Sequence, residues 1–297
     1  MVNWKRSRVI WALAFLAPVL LTLFVVGVWP LLRTFYFSAT DARLTELDQP
    51  FHWKGMANYW NILSDRDWWT AVRNTLVFTC LSVSLETVLG LLIALALNQP
   101  FFGRGLLRSA ILIPWAIPTV VSAKMWSWMF HDLYGVVNDV LMKIGILHSK
   151  VAWLVDDRLT LGAVVFVDVW KTTPFMALLL LAGLQSIPKE VLEAARVDSS
   201  SRVRVFFAVV LPLLKPALFV AVIFRALDAL RIFDLVYVLT SNKVSTATLS
   251  MYARRELIEF QEFGYGSAAS VLIFLIIGLL TVVYVTTTRA NFSGEAT

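Results

Sequence analysis

Eight ionisable residues sit inside otherwise apolar runs of this chain: Glu86, Lys124, Asp168, Lys171, Arg225, Asp228, Arg231 and Asp234. Four are acidic and four basic. A charge at the centre of a bilayer costs about 2.5–3.5 kcal/mol on insertion scales, so such residues face a bundle interior or a wet cavity. Arg225, Asp228, Arg231 and Asp234 recur every third residue with alternating sign. On a helix, each step of three turns the side chain by about −60°, and neighbours at i,i+3 can pair. Asp168 and Lys171 share that spacing. Two chemistries fit: structural ion pairs between helices, or a polar path offering charge-assisted hydrogen bonds to a hydroxyl-rich ligand. Glu86 with Lys124 reads as a buried pair between neighbouring spans.

A second charged stretch, Glu190–Pro212, EVLEAARVDSSSRVRVFFAVVLP, lies between two apolar runs. Ser186 can cap its first helix, with Pro188 in the first turn. Val191, Leu192, Ala194 and Ala195 then fall on one small apolar face. The run Asp198-Ser199-Ser200-Ser201 is turn chemistry able to cap a second helix. Pro212 is expected to end that helix, and Pro216 to open the next span. A helix pair tied at both ends to membrane spans is built like a lever, although an amphipathic helix resting on lipid fits the same pattern.

Other chemistries find little support. Cys80 is alone, so no intrachain disulfide and no thiol metal site is expected. His52, His131 and His148 are scattered and make no zinc motif; no metal is expected. No G-x-x-x-x-G-K-[ST] run occurs, so the chain carries no phosphate-binding loop of that kind, and no catalytic residue is expected.

The elements that place these residues follow from composition. The chain has 297 residues, 59% hydrophobic and 15% charged, against about 25% charged in a soluble domain. Twelve Trp and twenty Phe suit a protein with two lipid–water interfaces. A net charge of +6 then sets orientation rather than nucleic-acid binding. Apolar runs of about 20 residues place six spans near 9–32, 75–97, 109–130, 159–182, 216–239 and 264–288, the third kinked at Pro114 and Pro118. The first run is longer than a signal-peptide core and no small-residue cleavage site follows it, so it reads as retained. The segments before span one, after span six, at 99–108 and at 186–215 carry eleven Lys/Arg over 57 residues; the other three carry eleven over 93. That density bias puts both termini and the 186–215 loop in the cytoplasm.

EAARVDSSSRVRVFFAVVLP resembles the E-A-A-x-x-x-G-x(9)-I-x-L-P signature of permease subunits in bacterial ABC importers. Glu193-Ala194-Ala195 and Leu211-Pro212 match in place, Asp198 matches an acid that often precedes the Gly, and Val209 stands for Ile. Ser199 replaces the Gly. LIPWAIPTVVSAKMWSWMF, VWKTTPFM, LAGLQSIPKEVLEAA, LPLLKPALFVAVIFRALDALRIFDLVYVLT and FGYGSAASVLIF are similar to the maltose and trehalose branch of those permeases. A Gly-Gly-Pro common in that branch after span five is Ser241-Asn242-Lys243 here.

The resemblance implies an all-α integral membrane fold over 1–297: six transmembrane helices with a cytoplasmic coupling loop, 186–215, between spans four and five. Glu193, Ala194, Ala195, Asp198 and Ser199 would dock on an ATPase. Asp168, Lys171, Thr172 and Phe175 on span four, and Leu227, Asp228 and Arg231 on span five, would contact a sugar, leaving Arg225 and Asp234 as structural pairs. It also implies a second permease chain, two ATPase subunits holding ATP and Mg, and an extracytoplasmic sugar-binding protein, with no cofactor on this chain. The competing reading is a proton-coupled transporter or channel that uses the intramembrane carboxylates.

Overall fold

The structure, a computed structural model, describes residues 4–46, 48–198 and 201–294. Among these, five helices are long and apolar enough to cross a membrane, at Trp11–Ser38, Arg66–Leu97, Asp157–Gln185, Arg202–Ala229 and Phe263–Thr288. A sixth is present if Arg104–Ala116 and Thr119–Met129, bent by 85° at their junction, make one span. No ladder of strands occurs among the described residues; one isolated bridge joins Thr40 and Trp53. The chain divides into two compact units, Met1–Asp65 with Tyr252–Leu275, and Arg66–Met251 with Ile276–Thr297.

In the first unit, α1 (Trp4–Leu23) runs through a π-helical turn, Phe24–Val28, into α2 (Trp29–Ser38). A loop and α3 (Ala57–Ser64) follow. Asn58 Nδ2 donates to the carbonyls of Ser38 (2.9 Å) and Thr40 (2.8 Å), satisfying chain that has just left the helix. Gly264 N donates to Ala42 O and Leu44 N to Gln261 O, so residues 42–44 are laced to 261–264.

The second unit is built on α4 (Arg66–Leu97), α9 (Asp157–Gln185) and α12 (Leu211–Ala229). Shorter helices lie between them in the chain: α5 (Arg104–Ile111), α6 (Ile113–Ala116), α7 (Thr119–Met129), α8 (Val136–Lys143) and α10 (Lys189–Asp198). Small residues let these backbones meet. A Cβ on Gly90 would lie 2.7 Å from Met176 Cγ and 3.1 Å from Ala177 N, and one on Gly183 would lie 2.4 Å from Ala217 Cβ. Two apolar clusters result. One includes Phe78, Val83, Trp126, Val164, Val167 and Ala229; the other Ala94, Leu97, Met176, Leu180, Leu214 and Ala221.

Several local expectations are corrected. Ser186 caps no helix start: it ends α9, its hydroxyl donating to Gly183 O at 2.7 Å, and α10 begins at Lys189. Pro212 ends nothing. From Arg202 the chain stays helical through α11 (Arg202–Val205), a π-helical turn (Phe206–Val210) and α12. Pro212 falls in the first turn after the π-bulge, where its missing N–H costs no helical bond. The fifth span is broken as well. α12 stops at Ala229, and α13 (Asp234–Thr240) starts after a four-residue gap. The alternating series Arg225–Asp234 therefore does not share one helix surface.

Candidate functional site: a buried ion cluster and an exposed helix

Three long helices each bring charge to one point between the two apolar clusters. Glu86 on α4 is fully buried. Asp168 on α9 and Arg225 on α12 are also buried. Arg225 grips Glu86 with both arms, Nε to Oε2 at 2.5 Å and Nη2 to Oε1 at 3.0 Å. Nη2 also donates to Asp168 Oδ2, and Nη1 to Asp228 Oδ2 at 3.2 Å. A planar guanidinium suits this forked role better than an ammonium would. Ser82 lies one turn before Glu86, where its hydroxyl can donate to Glu86 Oε1 (2.7 Å) or Asp168 Oδ2. Thr172 Oγ1 lies 2.7 Å from both Glu86 Oε1 and Asp168 O. Each hydroxyl has one proton, so each serves one acceptor at a time.

This arrangement replaces the expected Glu86–Lys124 pair. Lys124 is exposed on α7 (Thr119–Met129), while Glu86 spends its oxygens on Arg225, Ser82 and Thr172. Arg225 is the structural ion expected, although its main partners, Glu86 and Asp168, lie on other helices and not three residues along its own. Asp234, the other residue expected in a structural pair, is instead exposed at the start of α13. Ser82 and the hub role of Glu86 went unread in the sequence. The only available sign was an i,i+4 polar pair inside an apolar helix.

The other expected ligand residues fall in three settings. Lys171 is buried, and its ammonium donates to Trp115 O (3.2 Å) and Ile117 O (2.8 Å). Those carbonyls border the 85° bend, where Pro118 has no N–H and the helical ladder stops. Phe175 is half-buried, one ring face stacked on Trp115 at 5.2 Å. Asp228 and Arg231 reach outward. The Asp228 side chain is 73% exposed, with one oxygen held by Arg225. Arg231 is exposed and donates from Nε to Leu227 O at 3.1 Å; among the described residues it pairs with neither Asp228 nor Asp234. Leu227 is half-buried beside them. Only Asp168, Thr172 and Asp228 of the seven thus join the Arg225 cluster.

The helix α10 (Lys189–Asp198) has the opposite character. It carries five charges in ten residues and buries none. Glu193, Ala194 and Asp198 are exposed, Ala195 is half-buried, and Val197 is 87% exposed. Leu192 packs against the second apolar cluster. Ser201 caps α11, accepting from Arg204 N at 3.4 Å. Ser199 lies outside the described residues. After α13, Ser241 and Asn242 stand at φ of +49° and +62°. These are the left-handed positions where the resembling permeases carry Gly-Gly.

Residues 86–289 match the family model described as "Binding-protein-dependent transport system inner membrane component". The chain is 44% identical, over 90% of both proteins, to the trehalose/maltose transport system permease protein MalF of Thermococcus litoralis. It is 40% identical to the trehalose transport system permease protein SugA of Mycobacterium tuberculosis, over 92% of this chain and 87% of that one. It is 38% identical to the sulfoquinovosyl glycerol transport system permease protein SmoG of Agrobacterium fabrum, over 94% and 91%. A chain of a bacterial ABC transporter that imports alginate superposes with a TM-score of 0.83 over 97% of this chain and 98% of that one, at 22% identity, a likeness of fold. With a family match over most of its length and relatives at this identity, the chain belongs to the inner-membrane permease components of binding-protein-dependent ABC transport systems.

Proposed function

We propose that this chain is the permease subunit of an ATP-driven importer for a neutral disaccharide such as trehalose or maltose. The observation that carries the substrate is the 44% identity to the trehalose/maltose permease over nine-tenths of both chains. The sulfoquinovosyl glycerol relative, at 38%, makes sugar-like cargo the common denominator. In this reading residues 1–297 act as one transmembrane domain with both termini cytoplasmic. It pairs with a second permease chain, two ATPase subunits that bind ATP and Mg, and an extracytoplasmic sugar-binding protein. This chain holds no cofactor and performs no hydrolysis.

Transport follows alternating access. Closure of the ATPases pushes on Glu193, Ala194, Ala195, Asp198 and Ser199, and the push enters the bundle through the continuous helix Arg202–Ala229. Sugar hydroxyls donate to the free oxygen of Asp228. Arg231, Thr172, Leu227 and the exposed part of Phe175 complete the contact, while Asp168 and Lys171 hold the wall behind it. A charge-assisted hydrogen bond is worth about 1.5–3 kcal/mol.

The test is ATPase activity of the reconstituted importer, with its binding protein, against trehalose and maltose. Either sugar should stimulate hydrolysis, and Asp228→Asn should weaken the stimulation by about tenfold at limiting sugar. No stimulation by any disaccharide would end the substrate assignment. Uptake that survives ATP depletion and collapses with the proton gradient would return the carboxylates to a proton-coupled carrier.

A further inference from the structure

A groove of about 650 Å³ opens at the loop end of α2, walled by Trp29, Pro30, Tyr36, Phe51 and Phe263, with Arg33 among them. It lies wholly within the first compact unit. The Arg33 guanidinium sits 5.1 Å from the centroid of the Phe37 ring and 5.9 Å from that of Trp29. Among the described residues it has no carboxylate partner and no hydrogen-bond acceptor, and the neighbouring Thr34 hydroxyl is spent on Pro30 O at 2.9 Å. An exposed cation stacked on aromatic faces near the end of a membrane span is therefore left without a counter-ion.

The walls are preformed. Phe37 meets Phe263 edge-on at 5.0 Å, and Phe51 packs against Phe37 at 5.6 Å and Tyr36 at 6.1 Å. The loop that delivers Phe51 is pinned beside it: Lys54 N donates to Ala39 O at 2.7 Å, and His52 N to Asp41 Oδ1 at 2.6 Å. That backbone bond holds the Asp41 carboxyl below its usual range. Trp and Tyr rings anchor at the headgroup level, which is where lipid phosphates lie.

We propose that this groove binds an anionic phospholipid, its phosphate on the Arg33 guanidinium and the upper part of an acyl chain along Trp29, Pro30 and Phe263. A guanidinium matches a phosphate bidentately. A zwitterionic headgroup would bring its own ammonium against Arg33, whereas phosphatidylglycerol brings none. The walls supply apolar area and no competing hydrogen-bond donor stronger than the Tyr36 hydroxyl. Charge complementarity thus selects a lipid over a neutral ligand.

The test is native mass spectrometry of the chain, in the assembly in which it purifies, from nanodiscs of equal phosphatidylglycerol and phosphatidylcholine. Wild type should retain phosphatidylglycerol in preference. Arg33→Ala should lower that retention by about fivefold, the factor corresponding to one basic residue at an anionic surface. Arg33→Lys should keep the preference. Equal retention of the two lipids by wild type would overturn the proposal, and this arm needs no variant to fold. So would unchanged phosphatidylglycerol in Arg33→Ala, or Arg33 found shielded by another polypeptide in the assembly.

Discussion

The Arg225 cluster and the helix α10 are both dense in charge, yet they treat it oppositely. Around Arg225, helices distant in sequence close on one another until each buried carboxylate has a donor. On α10, five charges stand with no buried side chain among them. The difference is one of solvent. A charge inside the bilayer must be answered within the protein, because lipid cannot answer it. A charge at the water surface can wait for a partner. The first region is complete in one chain; the second leaves its charges open to solvent.

The comparison can be broken most sharply at Arg225. Arg225→Ala should leave Glu86 and Asp168 buried without a counter-ion, costing about 3–5 kcal/mol, a loss readable as failed accumulation or a large drop in detergent melting temperature. A variant that melts like wild type would mean the cluster is solvated and not a closed hub. The combined change Glu86→Leu, Asp168→Leu and Arg225→Met should recover most of that loss, since apolar replacement of a whole buried ion cluster is often neutral. Persistent failure to fold would instead give the charges a role in specifying how α4, α9 and α12 meet.

Lys171→Met comes next. It strips the donors from the carbonyls of Trp115 and Ile117 at the bend, for about 1–3 kcal/mol. Hydrogen exchange should then rise at residues 115–119 more than in α4; uniform exchange would deny that the lysine holds the break. Ser241→Gly should run the other way, stabilising by about 1 kcal/mol, because it removes a side chain from the left-handed region. Denaturation that is unchanged would place no strain there. The smallest effect on stability belongs to Glu193→Arg, expected within about 0.5 kcal/mol as an exposed substitution. Co-purification of the ATPase should nonetheless be lost. Retained ATPase with wild-type transport would remove α10 from the coupling role.

How much of this could be read from residues alone differs by region in the same way. The E-A-A run, Asp198 and Leu211-Pro212 fall at fixed spacing within one short stretch, so the permease motif is legible as a string. The site residues on α9 and α12 were legible only as types. Their sorting into a buried hub, a bend clamp and an outward-facing pair was not, because Lys171 turns on where the third span breaks. The stop expected at Pro212 failed for a related reason: a π-bulge in Phe206–Val210 absorbs the proline, and nothing in the local sequence announces it.

Sequence by itself determined that the chain crosses a membrane, that it spans as helices, and that its charged loop follows the permease pattern. Those properties are additive over neighbouring residues: hydropathy over a run, and identity at fixed spacing. Only the tertiary structure decided which charges meet. Glu86 and Arg225 stand 139 positions apart and Asp168 and Arg225 stand 57 apart. Their pairing depends on helix registers set by the close approach of Gly90 to Met176 and of Gly183 to Ala217, contacts that no local pattern encodes.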